Sequence, residues 1–243
     1  MATVSTPRRR RPAAETSSLS VGAERWSFRI PTSALTLAGF RAWATSDDFP
    51  EHFRAAFIGQ EVFIEMSNEE PQTHIAVKDE ISRVLMNLNR EHKLGKFYGD
   101  GLLISNEDAS VSNNPDASFF TVESLRAGRV RMVPKTDEND HYREIEGTPD
   151  WVLEVVSDSS IQKDTTQLRE AYHRAGIPEY WLTDACGDAI AFQILQHRKN
   201  SYATVPRRDG WLRSRIFGRS FRLERQRDAL GLWEYTLQVR AGS

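Results

Sequence analysis

Only one cysteine, Cys186, occurs in the chain, so no intramolecular disulfide can form and a thiolate zinc cluster is excluded. A reducing cytoplasm is the expected compartment, since the N-terminus also lacks the apolar core of a secretory signal. No apolar run approaches the roughly 18 residues that a membrane span requires, which points to a soluble protein. The six histidines have neither HxxxH nor HxH spacing, so an all-histidine metal site is not expected. The phosphate-loop patterns GxxxxGK and GxGxxG are missing, as is any internal repeat. Positive charge is not in excess either: a formal net charge of −2 argues against a protein held to nucleic acid by bulk electrostatics.

What the chain does contain suits one globular domain over residues 25–243, because 39% of its 243 residues are hydrophobic. Residues 1–24 are rich in Ser, Thr, Pro and Ala, carry the run from Arg8 to Arg11, and read as a disordered tail. Charge is locally uneven. Between residues 207 and 227 eight arginines face only Asp209 and Glu224, which makes either a phosphate-facing patch or a solvated hairpin surface.

In chain order, residues 26–30 suggest a short strand, and Ser33 a cap for a helix bearing Leu35, Leu37, Phe40 and Trp43. Residues 57–66, FIGQEVFIEM, read as a hairpin or one bent strand whose acids, Glu61 and Glu65, face solvent by default. From Pro71, apolar residues at three- and four-residue steps predict a helix of about 22 residues, closed by Gly95 at C′. His74 falls in its first turn, on a stripe with Lys78 and Ile81, either exposed or in a supporting or phosphate-contacting role. Strands are expected over residues 96–98, 101–105 and 117–121, with Asp116 at the mouth of the last. Residues 122–146 are charged and irregular, and suggest a short helix or hairpin with an exposed loop.

The most informative stretch is residues 147–184. In residues 151–157, alternation puts Trp151, Leu153 and Val155 on one face and Val152, Glu154 and Val156 on the other, as in a central strand covered on both sides. A carboxylate there must take up a proton or find a cation or several donors. A helix follows, with Asp164 or a preceding serine as cap, Leu168, Ala171, Tyr172 and Ala175 on one face, and Gly176 at C′. Residues 177–183 return as a strand, giving a strand, helix, strand crossover, with Tyr180 and Trp181 as packing residues. Antiparallel strands are then expected over 189–195 and 202–205, and the apolar run 230–239 packs back on the core. Two carboxylates, Asp116 at the start of one strand and Glu154 in the middle of another, would form an oxygen-ligand site for Mg²⁺ or Mn²⁺ if those strands are neighbours.

These residues carry a resemblance. PDASFF at residues 115–120, GTPDWVLEVVSDSS at 147–160, and KD followed by AYHRAGIPEYWLTD at 171–184 resemble the restriction endonuclease family labelled Uma-two, within the PD-(D/E)XK nuclease superfamily. The likeness runs from about Phe53 to Val239. It implies an α/β (α+β), restriction-endonuclease-like fold, a central mixed sheet flanked by helices, and a Mg²⁺- or Mn²⁺-dependent site that cuts DNA. Asp116 and Glu154 match the family's metal ligands, the Val155 carbonyl is the further ligand, and Glu65 is the candidate third carboxylate. His74 stands where the family often has a histidine. The superfamily lysine is absent, because Val156 and Leu168 occupy its usual places. Lys163 is the expected substitute and Arg169 a candidate for stabilising phosphate charge, though arginine cannot act as a base. Two further readings stand beside a DNA endonuclease: a weak or inactive nuclease fold that binds nucleic acid or protein, motivated by the missing lysine, and a plain structural domain, in which Asp116 and Glu154 would lie far apart and bind nothing. Cutting both strands would suit a homodimer.

Overall fold

The computed structural model describes residues 18–23, 26–50, 53–65, 68–135 and 141–242. Its centre is a six-stranded sheet in the order Tyr202–Thr204, Ala191–His197, Glu179–Asp184, Trp151–Val155, Ala117–Thr121, Gly95–Tyr98. Only Trp151–Val155 and Glu179–Asp184 are parallel, and the other pairs are antiparallel, so the sheet is mixed as expected. Strand Trp151–Val155 is buried on both faces, which explains its nearly continuous apolar sequence.

Four α-helices accompany the described strands: α1 (Leu37–Ala44), α2 (Ala76–His92), α3 (Val122–Arg126) and α4 (Arg169–Arg174). The apolar stripe of α2, Val77, Ile81 and Leu85, covers the face bearing Trp151, Leu153 and Trp181. That same core is closed by a three-stranded sheet, Leu212–Arg213, Arg219–Arg227 and Trp233–Ala241, through Phe221, Leu223 and Leu237. On the opposite face Val152, Val156 and Tyr180 pack against Leu168, Ala171 and Tyr172. Trp181 and Tyr180 thus lie in the core, on opposite faces of one strand. None of the described helices is long and apolar enough to cross a membrane.

A second six-stranded sheet holds the hairpin Arg54–Ile58 and Glu61–Glu65 at one edge, followed by Val111–Asn113, Ile104–Asn106, Tyr142–Gly147 and Val130–Pro134. The irregular region 122–146 therefore supplies α3 and two strands, apart from residues 136–140, which lie outside the described residues. The expected strand over 101–105 begins at Ile104, and Val111–Asn113 is a strand the pattern did not reveal because it is three residues long.

Several boundaries differ from expectation for local reasons. Thr36, not Ser33, caps α1: its side chain accepts from Gly39 N at 3.2 Å, and Thr32–Leu35 form a separate 3₁₀ turn. Helix α2 is shorter than predicted because Pro71–Ile75 is a π turn, in which Ile75 N reaches back to Glu70 O at 3.1 Å. Its left-handed end is Lys93, at φ 52°. Gly95 serves close approach instead, since a Cβ there would collide with the Phe120 carbonyl of the adjacent strand. Gly176 does sit past α4 with φ +72°. The last strand starts at Trp233, leaving Leu230 exposed. Residues 1–17 of the predicted tail lie outside the described residues, whereas Ser18–Ala23 pair with Trp26–Pro31 as a hairpin.

One ion cluster ties α1 to the second sheet. Arg41 Nε lies 3.0 Å and Nη2 2.9 Å from the two oxygens of buried Glu144, while Nη2 also meets Glu146 at 2.5 Å. Ser105 completes the shell by donating to Glu144 at 2.8 Å. Removing the cation strands a buried carboxylate, so Arg41→Ala should destabilise the fold by about 3–5 kcal/mol. Urea denaturation measures it, and adding Glu144→Gln should recover a large part of the loss.

Candidate functional site

The site grows from the end of one strand ladder. Trp151, Val152 and Leu153 pair with Phe119, Ser118 and Ala117, so one step further the same register brings Glu154 opposite Asp116. Asp116 follows Pro115 and stands just outside its strand. Its carboxylate takes over the role of a ladder carbonyl: Val155 N donates to Asp116 Oδ2 at 2.7 Å. Both acids are nearly inaccessible, at 3% for Asp116 and 4% for Glu154.

Their environments push them in opposite directions. Glu154 Oε1 accepts from Tyr172 Oη at 2.5 Å and Asn113 Nδ2 at 2.9 Å, and Asn113 also donates to Tyr172 Oη at 2.7 Å. Burial raises the Glu154 carboxyl well above the ordinary range, reinforced by the charges of Asp164 and Asp116 and only partly opposed by Lys163 and Tyr172. Burial would raise Asp116 too, but hydrogen bonding and charge from His74, the charge of Lys78 and the Val155 amide hold it below its usual value.

The cations around Asp116 form a network. His74 Nε2 lies 3.5 Å from Asp116 Oδ2 and its Nδ1 3.3 Å from Glu69 Oε2. Burial alone would lower the His74 pKa, yet the two carboxylates raise it to about 10. Lys78 Nζ is 2.7 Å from Glu69, 3.0 Å from Asp100 and 3.5 Å from Asp116. Arg54 pairs with Glu69 and Asp100 and lies 3.5 Å from Asp116. The exposed first-turn position expected by default for His74 is thus corrected. The π turn directs the ring inward, to 5% exposure.

On the other side, a second π turn, Lys163–Leu168, carries Lys163 and Asp164. Lys163 Nζ is 2.5 Å from Glu65 Oε1 and 3.5 Å from Asp164 Oδ1. Asp164 Oδ2 accepts from Ser160, and burial raises its carboxyl to about 6. Glu65, expected to face solvent by default, lines the same cavity as Asp116, Glu154, Lys163 and Asp164. The Met66 and Ser67 pair that follows it lies outside the described residues. Leu168 is fully buried among Val152, Val156 and Tyr172, so no cation reaches the cavity from that position. Arg169 is not brought there either. Its Nη2 donates to Tyr202 O at 3.3 Å, and it borders a separate hollow with His173 and Asn200. The arginine-rich segment also lies elsewhere, with Arg225 and Arg227 over Trp233 and Arg222 over Trp211.

The cavity has a volume of about 30 Å³, enough to admit water or a metal ion. Its ligand atoms near Glu154 are oxygens, which suit a hard divalent cation, and Asp164 Oδ1 and Glu65 Oε1 face the Lys163 ammonium. A different trio, Glu69, His74 and Asp116, offers ligand atoms within 4.8 Å of one another. That trio already holds the Lys78 ammonium and a protonated imidazole, so its charge is matched. The cation-deficient side is the one around Glu154. Asn113, Glu69 and Arg54 carried no sequence signal of their own, and Asp164 stood out only as a cap candidate and in the KD pair; Arg54 and Asn113 reach the site on strands, Glu69 just ahead of one π turn and Asp164 on the other. Tyr172 stood out only for its place on the helix.

The His74 pairing has a pH signature. Its folded pKa is raised above the unfolded value near 6.5, so its contribution is complete below about pH 6.5 and lost as pH rises through about 10. In chelator, the denaturation midpoint should fall across that window, and His74→Asn should flatten the fall.

Residues 38–237 match the family model of Uma2, described as a putative restriction endonuclease. No curated protein shows significant similarity. Among solved structures, the chain is similar to a crystal structure of a putative nuclease belonging to DUF820 from Anabaena variabilis ATCC 29413. The two share 16% identity and a TM-score of 0.49, over 67% of this chain and 82% of that one. The family match spans most of the length, from α1 to the last strand and across both walls of the Asp116 and Glu154 cavity, and the chain belongs to the Uma2 family of putative restriction endonucleases.

Proposed function

We propose that the chain is a divalent-metal-dependent endonuclease that hydrolyses DNA phosphodiester bonds at the Asp116 and Glu154 cavity. The observation that carries this reading is the convergence of Asp116, Glu154, Val155 and Lys163, from separate elements, on one cavity of about 30 Å³. Asp116, Glu154 and the Val155 carbonyl are the residues to hold Mg²⁺ or Mn²⁺, with Glu65 alongside. When bound, such an ion supplies Lewis-acid stabilisation of phosphate charge and a more acidic water.

The chain's own groups prepare this chemistry. Tyr172 and Asn113 fix the Glu154 carboxyl by two hydrogen bonds to one oxygen, which leaves the other free to bind. Val155 N and His74 fix Asp116. Burial works against the Lys163 charge, but Asp164, Glu154 and Glu65 more than offset it and raise its pKa, so it acts as a fixed positive charge beside the phosphate and not as a base. This same feature, with Leu168 in the core, favours a second reading in which the chain binds metal and nucleic acid with little turnover.

Supercoiled plasmid with Mg²⁺ or Mn²⁺ separates the two. The nuclease reading expects relaxed circles from the wild type, a loss of at least about a hundredfold in Glu154→Ala, and no change in Arg169→Ala. Mn²⁺ uptake and DNA binding without nicking favours the second reading, and neither uptake nor nicking overturns both.

A further inference from the structure

Lys163 is placed as a cation would be. Its ammonium lies 2.5 Å from Glu65 Oε1 and 3.5 Å from Asp164 Oδ1. Lys163 is the cation against both acceptor atoms, and Asp164 is buried, with a relative exposure of 2%. The Glu65 contact is a short, charge-assisted ion pair, while the Asp164 contact is one of charge at longer range. Four carboxylates line the cavity: Glu65, Asp116, Glu154 and Asp164. The lining cations are Arg54, His74 and Lys163. Arg54 and His74 both lie against Asp116, so among the described lining cations Lys163 is the one that serves Glu65 and Asp164, with Ser160 also donating to Asp164.

Nucleases of phosphodiesters often use two divalent ions about 3.5–4 Å apart, which clamp the attacking and leaving oxygens. Here the ground beside the Asp116 and Glu154 position is filled by the lysine head. Resting on the reading that Asp116 and Glu154 hold a metal, we propose that the Lys163 ammonium occupies a second cation position, built from Glu65 and Asp164. The chain consequently takes up one divalent ion where a two-metal site would take up two. Asp164 becomes a positioning residue: it anchors the lysine and is a ligand in waiting if the lysine is removed. The assignment also gives a reason for the π turn, which presents Lys163 and Asp164 side by side to the cavity while sending Leu168 to the core.

Titration calorimetry of the metal-free full chain with Mn²⁺ tests it. The wild type should bind one ion per chain, Lys163→Ala two, and Lys163→Ala with Asp164→Asn one again. Lys163→Ser opens the same position if the alanine variant does not fold. One ion in the wild type and still one in either lysine variant overturns this inference while leaving the metal reading of Asp116 and Glu154 intact. Two ions in the wild type also overturn it. No uptake by the wild type removes the metal reading and this inference with it.

Discussion

The site depends on a single backbone contact, the hydrogen bond from Val155 N to Asp116 Oδ2 at 2.7 Å. It occurs where the antiparallel ladder between Ala117–Thr121 and Trp151–Val155 runs out, so a side chain replaces the carbonyl that the next ladder step would have supplied. The substitution fixes Asp116 against the strand that carries Glu154, and fixes both at the end of the parallel pair where α4 and its π turn return. A one-residue slip in this register would turn Glu154 to the α2 face and Asp116 away from it. The large side chains Trp151, Leu153 and Trp181 on that face make such a slip prohibitive, so the apolar core specifies the polar site.

Charge is distributed unequally across the cavity. Asp116 is surrounded by His74, Lys78 and Arg54, which hold its carboxyl below the usual range, whereas burial and the charges of Asp164 and Asp116 push Glu154 well above it, only partly opposed by Lys163 and Tyr172. A folded protein gains nothing in stability from holding Glu154 in this way. Glu179 illustrates the alternative, because it is equally buried but its carboxylate accepts from Trp181 Nε1, Ser214 Oγ and Arg215 N. Glu179 is a satisfied structural acid joining the central sheet to the C-terminal segment. Glu154 keeps unmet demand for positive charge, as a ligand kept ready for a cation would.

Much of this was legible in the sequence where a single element spoke for itself. Alternation identified Trp151–Val155 as a doubly covered strand with Glu154 beside Val152 and Val156, and the Gly176 turn and the crossover to Glu179–Asp184 followed. The second sheet was less legible because its strands Ile104–Asn106 and Val111–Asn113 are too short to show a period. The two π turns were not legible at all. Each adds a residue to a helical turn: at the first His74 turns inward against expectation, whereas at the second Leu168 keeps its expected place on the apolar stripe and Lys163 meets the acids. Asn113 was hidden for a related reason, as its role exists only once distant elements meet, and Asp164, expected as a helix cap, lies instead inside the π turn and faces the cavity.

The central claim is that a divalent ion sits between Asp116, Glu154 and the Val155 carbonyl. Anomalous scattering from crystals of the chain soaked in Mn²⁺ tests this most directly. The account predicts a peak within about 2.0–2.6 Å of oxygens from all three residues. A peak among Glu69, His74 and Asp116 without Glu154, or none at any soaking concentration, would contradict it.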